Sequence, residues 1–546
     1  MNTAVVPFYD AKRVAQKRSV VLESWLSQQP GNAFRRAGIQ PPMRARRNYY
    51  AAQVNRLTAG WSATTSSANA DIFRSLDALR ARSRVLAQND EYVKKWLQMV
   101  STNMVGPFGF RFQARVYDPP TSAKSAPKPD KLANDALEKA WSEWCKVADV
   151  TGRNHFTMLC QIMARTAGRD GEIMARFVRG KEAGNPFGLA LQLLDINRLD
   201  TNLNRPEGNG VTQIRMGVEM NRWGRPTHYW LRTRNPGDNY SVAQGQSQAV
   251  HERVPAEDII HAFISDDPEQ ARGVPWAHAA MERLNNRGAF EHAAIIAARV
   301  GASKMGFFTT PDGNAEPAST GVESDDGSDD GQLVTEADPG TFDTLPEGYD
   351  FKAFDPAYPS DMFADFIKAN LRGTASGLGV AYHSLANDLE GVNFSSIRSG
   401  TLEERDCWMV LQEWFAQSVL ERIFPQFLDA ALTFGLAVMP NGSSLSVAKR
   451  EKFSAHQWQG RRWEWVDPKK DIDADLTALD GGIKSPQMIA AKLGVDYEDV
   501  LAEIKAAQDM RDAMGIVLPA RGQQQPAQAP AAADVPDANA DDPEAN

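Results

Sequence analysis

Cysteine is scarce in this chain: Cys145, Cys160 and Cys407 are the three in 546 residues, and no Cys-x-x-Cys pair occurs. That is too few and too scattered for a disulfide framework, so assembly in a reducing cytoplasm is expected. Long apolar runs are also lacking. Residues 1–30 show no unbroken apolar core followed by a small-residue cleavage site, and the most apolar run, 430–439, is far shorter than the ~20 residues a membrane span needs. Neither an export signal nor a transmembrane helix is therefore expected. Gly-x-x-x-x-Gly-Lys-Ser/Thr, Gly-x-Gly-x-x-Gly, Gly-x-Ser-x-Gly and His-Glu-x-x-His are all absent, which leaves no recognisable nucleotide-driven motor, dinucleotide site or hydrolase elbow.

Metal-ligand patterns are equally thin. Asp471-Ile-Asp473-Ala-Asp475 imitates the start of a calcium loop, but Leu476 stands where the turn needs glycine and Gly482 where a bidentate glutamate belongs. His155 and Cys160 lie near Cys145 in sequence, yet the spacing fits no common zinc pattern and a fourth ligand is missing, so core packing is the expectation. No catalytic, cofactor-binding or metal residue is assigned.

What is present is a long chain with 42% hydrophobic and 9% aromatic residues, enough for ordinary cores and, at about 150 residues each, three or four domains. The net charge of −9 is unevenly spread. Residues 1–56 hold ten Lys and Arg against Asp10 and Glu23, a basic arm that reads either as a contact for nucleic acid or an acidic partner or as a solvated terminus. Residues 311–350 hold twelve Asp and Glu and no Lys or Arg, with Asp325, Asp326, Asp329 and Asp330 at the centre. Carboxylates this dense repel one another, and their Gly- and Ser-rich setting offers no rigid scaffold for two metal ions ~4 Å apart, so a mobile acidic insert is expected.

Periodicity predicts two helices across 71–105, the first ending in Arg80-Ala-Arg-Ser-Arg84, a cluster that reads as a solvated face or a phosphate grip; Asn89-Asp90 caps the second. Further helices are expected at 134–147, with Leu137, Trp141 and Trp144 on one face, and at 156–169. Strands follow at 172–178, 189–194, 214–220, 228–231 and 258–263. Residues 116–129 read as a linker.

Two helices then bracket the acidic insert. One runs from Pro275 to Ala302, roughly 40 Å long, placing Trp276, Ala280, Leu284, Ala294 and Ile295 among polar residues. The other runs over 361–377 with Met362, Phe363, Phe366, Ile367 and Leu371, ending at Gly377-Leu-Gly379. Arg287, Arg299, Lys368 and Arg372 are expected opposite the apolar faces, as on a helical hairpin with a solvated outside. The polar loop Leu385-Ala-Asn-Asp-Leu-Glu-Gly-Val-Asn-Phe-Ser-Ser-Ile-Arg398 comes next, then a helix over 400–424 with Trp408, Leu411, Phe415 and Val419 inward. Residues 485–514 give two short helices around Gly494, and 523–546 lack periodicity and are expected to be disordered. The fold class is α+β, mostly helical, with a smaller mixed β portion.

Taken in order, Arg82-Ser-Arg84 with Asn89, Val105-Gly-Pro, Leu199-Asp-Thr201, Gly217 with Trp223-Gly-Arg, Val254-Pro-Ala-Glu-Asp258, Arg272-Gly-Val-Pro-Trp276, Gly391-Val-Asn-Phe-Ser-Ser-Ile-Arg398 and Trp465-Val-Asp-Pro468 resemble the lambda family of tailed-phage portal proteins. The likeness runs from about Ala51 to Met514. It implies a non-enzymatic, dodecameric ring at one capsid vertex in the virion, assembled in the host cytoplasm, with an axial channel for packaging and ejecting double-stranded DNA. Implied partners are other copies of the chain, DNA, the terminase large subunit, head-completion or connector proteins, and the major capsid and scaffold proteins, with no cofactor and no membrane.

The implied regions are an arm (1–50), wing (51–272), first stem helix (273–302), clip with the acidic insert and short strands (303–360), second stem helix (361–379), tunnel loop (380–398), wing helix and return (399–484), crown (485–520) and acidic tail (521–546). Candidate tunnel-loop residues are Asn387, Asp388, Glu390, Gly391, Asn393 and Phe394, the last standing where the family often has Tyr. Lys368 and Arg372 are candidate channel-facing stem residues, and the four central aspartates of the insert are candidate clip docking residues. A conduit must let DNA slide, and a densely basic lining would brake a duplex carrying one charge per ~1.7 Å of axis. The mixed, slightly acidic loop fits that need, and Gly391 gives it conformational freedom. The alternatives are a nucleic-acid hydrolase using acidic clusters, marked by metal-dependent cleavage, and a monomeric DNA-binding adaptor using the basic arm, marked by a steep salt slope.

Overall fold

The computed structural model describes positions 56 and 60 and residues 65–119, 128–208, 212–236, 251–302, 306–309, 350–353, 362–390, 393–463, 468–495 and 497–515. The chain divides into Met1–Ser67, which falls almost wholly outside the described residues, and Ala68–Asn546, described below. The basic arm, most of the acidic insert and the C-terminal tail also lie outside them.

Helix α1 (Ala68–Asn89) meets α2 (Glu91–Met104) at Asp90, whose carboxylate accepts the Tyr92 and Val93 N–H groups and so satisfies donors that a helix start leaves unpaired. The inward face of α2 is Val93, Trp96, Leu97, Val100 and Met104. After the pair β1 (Arg111–Ala114) and β2 (Tyr117–Asp118), the second of which ladders with β3 (Lys128–Pro129), come α3 (Lys131–Lys146) and α4 (Phe156–Asp170). The region expected as a linker thus carries a short ribbon at its ends. Leu137, Trp141 and Trp144 are buried as their spacing predicts.

Two antiparallel sheets follow. One has the order β10 (Ile259–Phe263), β4 (Glu172–Arg179), β5 (Leu189–Leu193), with Ile260 opposite Ala175 and Phe177 opposite Leu191. The other is β6 (Gln213–Arg215), β7 (Val218–Met220), β8 (Pro226–Arg232), β9 (His251–Pro255). The single strand expected over 214–220 is two, because Met216 (φ 49°) and Gly217 (φ 84°) turn the chain back on itself. β9 has no apolar alternation and is visible only through its partner β8.

The expected long helix from Pro275 begins regularly only at Met281, as α5 (Met281–Ala302). Before it, Trp276 N–H donates to Gly168 O (3.2 Å), and tight turns close from His278 to Pro275 (3.0 Å) and Ala280 to Ala277 (2.9 Å). These tight turns thus stand in place of the first helical turns where the chain docks onto α4. β11 (Gly306–Thr309) and β12 (Asp350–Ala353) form an antiparallel pair, and α6 (Phe363–Gly377) returns beside α5. The two helices touch near both ends of α6. Arg283 lies across Gly373, where a Cβ would stand 1.9 Å from its guanidinium, and the Phe290 ring stacks on Phe363 at 5.7 Å. Asp325, Asp326, Asp329 and Asp330, between β11 and β12, lie outside the described residues.

Two expectations for this hairpin are corrected. Ile295 is 59% exposed, whereas Arg287 is buried, with Asp90 at 2.6 Å, Glu291 at 2.7 Å and the Tyr92 ring 4.3 Å beneath its guanidinium. The cation is drawn inward by the carboxylate that caps α2, a partner 197 residues away.

After α7 (Tyr382–Ala386), the helix expected over 400–424 is longer: α8 (Phe394–Phe415), a π-helical turn at Ala416–Leu420, and α9 (Glu421–Thr433). β13 (His456–Gln459) then pairs with β1, so residues 346 apart in sequence face each other as Phe112 and Trp458 do. An aromatic cluster fills the main core here: Phe112 to Phe424 at 5.0 Å, Trp141 to Trp458 at 5.2 Å and Trp141 to Phe427 at 4.9 Å. A second core lies between α1 and the four-stranded sheet, with Leu76, Met216, Tyr229 and Leu231.

The segment that imitates a calcium loop is helical instead, α10 (Pro468–Asp480), with Asp475 ion-paired to Lys484 and Lys492. α11 (Pro486–Leu493), capped by Ser485 and stopped by Gly494, and α12 (Tyr497–Met514) form the expected terminal pair.

Candidate channel segment

Helix α6 buries Leu371, Thr374 and Ala375, and its end is fixed where the Trp96 indole N–H donates to Leu378 O at 3.1 Å. The chain then makes α7, whose Leu385 is buried and whose C-cap, Asn387, adopts the left-handed conformation (φ 55°) that asparagine tolerates better than most residues. Lys95 on α2 holds the Asn387 side-chain oxygen. Beyond that cap, Asp388 accepts the Tyr382 hydroxyl (2.7 Å) and the Glu390 N–H (3.0 Å). Lys368 Nζ, from α6, stands 3.0 Å from Glu390 and 3.7 Å from Asp388, and Arg372 lies 5.5 Å over the Tyr382 ring.

The electrostatics follow from these contacts. The Tyr382 hydroxyl, then the Glu390 N–H and Lys368, hold the Asp388 carboxyl below its usual range. Glu390 and then Asp388 push the Lys368 ammonium up. Burial, then Asp388, raises the Tyr382 phenol.

Asn387, Asp388 and Glu390 thus lie beside Lys368 and Arg372. The expected loop 385–398 is shortened at both ends: Leu385 belongs to a helix and to the core, and Phe394 to Arg398 form the first turns of α8. Among the described residues, 387–390 and 393 are not helical, while Gly391 and its neighbour at 392 lie outside the described residues. Tyr382 and Lys95 were not foreseen. An arginine ten residues before a tyrosine was a weak signal for the first, and nothing in sequence links Lys95 to a residue 292 positions away.

A second cluster sits where the chain enters the α5 region. Glu172, wholly buried, receives Arg272 Nε at 2.9 Å, Arg80 Nη2 at 2.6 Å and the Gly273 N–H, with His261 Nε2 3.5 Å away. Burial pushes its carboxyl up, but Arg272 first, then Arg80 and His261, hold it well below the carboxylate range. Burial in turn lowers Arg80 to about 10. Gly171 (φ 84°) and Gly273 make the junction possible, since a Cβ on Gly171 would lie 2.1 Å from the Val274 carbonyl carbon and one on Gly273 would lie 2.3 Å from Gly171 O.

Arg84 pairs with Asp170 (2.8 Å) and Asp195 (2.8 Å), Thr201 donates to Asp77 (2.8 Å), and Asp200 holds Arg232 (2.5 Å) and His251 (2.8 Å). Arg80 and Arg84 are therefore structural ion-pair partners and not a phosphate grip or a solvated face, while Arg82 between them is exposed as a solvated face would have it. The first and last arginines are taken up by buried or half-buried carboxylates: Glu172 of β4, Asp170 at the end of α4 and Asp195 just after β5.

Among the described residues no group of three or more His, Cys, Asp or Glu is placed to hold a metal ion, and no helix is long and apolar enough to cross a membrane. Cys145 and Cys160 are buried free thiols whose pKa burial raises, and His155 caps α4 through its ring nitrogen, which accepts the Thr157 N–H at 3.2 Å.

Comparison with known proteins agrees over most of this length. The family described as phage portal protein, lambda family, matches residues 54–412. A probable portal protein of Halomonas phage phiHAP-1 is 33% identical over 473 residues, covering 85% of this chain and 86% of that one. Portal protein B of Escherichia phage lambda is 21% identical over 495 residues, covering 84% and 89%. Among solved structures, a chain in the neck of an empty gene transfer agent particle aligns with 80% of this chain and 97% of its own, at a TM-score of 0.38 and 13% identity. With the family matching well over half of the chain and a relative above 30% identity aligned along most of both lengths, this protein belongs to the lambda family of phage portal proteins.

Proposed function

We propose that the chain is the subunit of a portal ring at one capsid vertex, twelve copies surrounding a channel through which double-stranded DNA is packaged and later ejected. The observation that carries this reading is the helical hairpin α5–α6 with a strand pair at its far end and, one short helix (α7) beyond its second helix, a polar, mixed-charge segment that Lys368 of α6 contacts. In the ring α5 and α6 form the stem, β11 and β12 begin the clip, residues 387–393 form the tunnel loop, α11 and α12 the crown, and the remaining α+β body the wing.

Lys368, Arg372, Asn387, Asp388 and Glu390 then face the DNA path. Asp325, Asp326, Asp329 and Asp330 in the clip insert dock the terminase large subunit during packaging and head-completion proteins afterwards, while capsid and scaffold proteins surround the wing. The ring is a conduit and not a motor, so packaging energy comes from a partner ATPase. Negative-stain electron microscopy of the purified chain tests the reading: rings with an axial hole are expected, and a uniform monomer would overturn it. Docking is tested by reversing the four aspartates, which should weaken terminase or connector binding with rings intact.

A further inference from the structure

We propose that Lys368 is a positioning residue: it clamps the acidic tip of the channel segment, residues 388–390, against the second stem helix, and the phosphates of a passing duplex compete for it and release the tip. This rests on the channel reading above.

Three observations carry it. Lys368 is the charged group of α6 that reaches the tip, contacting both its carboxylates, Glu390 at 3.0 Å and Asp388 at 3.7 Å, across 22 and 20 residues of chain. The two carboxylates are held differently. Asp388 is also tied to α7 by the Tyr382 hydroxyl, whereas Glu390 is 82% exposed and its side chain is tied through the lysine. Finally, Asn387 turns the chain in the left-handed region just before the tip, a natural pivot between the packed α7 and the exposed segment.

An ion pair this exposed is screened by salt and exchanges readily, so a phosphate oxygen can replace the carboxylate without the lysine having to be stripped of water anew. DNA presents such oxygens densely, about one charge per ~1.7 Å of duplex. Once Lys368 turns to phosphate, Asp388 and Glu390 lose their counter-charge and are repelled by the same backbone. The tip swings free and does not adhere, so a moving duplex is sensed without being gripped.

Hydrogen exchange read by mass spectrometry on the intact chain tests the clamp, with the Glu390 amide bonded to Asp388 as its reporter. At low NaCl, amides of residues 388–390 should exchange severalfold faster in Lys368→Met than in wild type. High NaCl should bring wild type to the rate of the variant and leave the variant unchanged. Lys368→Arg, and the charge swap Lys368→Glu with Glu390→Lys, should restore protection. A blunt duplex added to rings should speed exchange in wild type and not in Lys368→Met. Equal rates in wild type and Lys368→Met at low salt would overturn the clamp, and slower exchange with duplex would overturn the competition. The clamp lies within one chain and is read in any oligomeric state, so micrographs of the same samples judge the ring separately.

Discussion

Glu172 shows how much a single carboxylate can organise. Buried with two arginines, a histidine and the Gly273 N–H around it, it is a centre whose partners cannot be rehydrated if it is lost. Glu172→Gln keeps the shape but strands two buried cations, and is expected to cost about 3–5 kcal/mol, read as a shift of the denaturation midpoint. The pH dependence has a definite sign. His261 is held below its usual value by burial, so stability starts to fall as pH drops through ~6.5. Glu172 and Glu219, the latter brought to about 2 chiefly by Arg253, contribute stability that is complete above ~4.3 and is lost as pH falls further toward their folded values. Melting temperature should decline from pH 7 to 4 with His261, and the further fall below ~4.3 should be smaller in Glu172→Gln, which has no carboxylate there to protonate. Gly171→Ala should be worse tolerated than left-handed strain alone explains, because the new methyl meets the Val274 backbone and no side chain that could move aside. Loss of soluble folded protein on expression is the expected result.

Among the elements, α2 is the one that ties the others together. Its N-cap Asp90 holds Arg287 of α5, Lys95 reaches Asn387, Trp96 holds the end of α6, and Asn103 O near its end accepts Gln412 of α8 at 2.8 Å. Helices α5 and α6 and the segment that follows α7 are thereby referred to one rigid rod. Arg287→Met should cost about 2 kcal/mol, the order of a hydrogen bond to a charged group, while leaving the fold intact. Hydrogen exchange should show the loss concentrated at the start of α5 and the first turn of α2, and uniform loosening of the whole chain would contradict this placement.

In the proposed ring, shape and charge carry the function. Replacing residues 387–393 with a Gly/Ser linker removes few buried contacts, so rings should form with nearly unchanged melting temperature, while packaged DNA per particle should fall or fail to be retained. Full-length retained genomes would remove this segment from the channel. Asp388→Lys with Glu390→Lys should instead slow translocation in a way that added salt relieves, because each new cation displaces phosphate counterions. Deleting 523–546 should leave ring yield and melting temperature unaltered, since that composition has no core to lose.

What the sequence determined by itself were the features written in neighbouring residues. Period and caps placed α3 and α4 within three residues of their ends, the terminal pair around Gly494 was announced by Ser485 and glycine, and the hairpin around an acidic insert, with the ordered motif blocks, was enough to point to the family. What only the tertiary structure decided were matters of partnership. Arg80, Arg84 and Arg287 have the spacing of surface arginines and were drawn inward, because carboxylates 86 to 197 residues away, which leave no periodic trace, pair with them, although Arg287 also has Glu291 four residues on. The same holds for β1 with β13, and for Lys368 with the tip of the channel segment. Local propensity follows from backbone sterics and nearest neighbours, whereas the fate of a charge depends on which opposite charge the folded chain brings to it, and that is settled only when the chain is closed on itself.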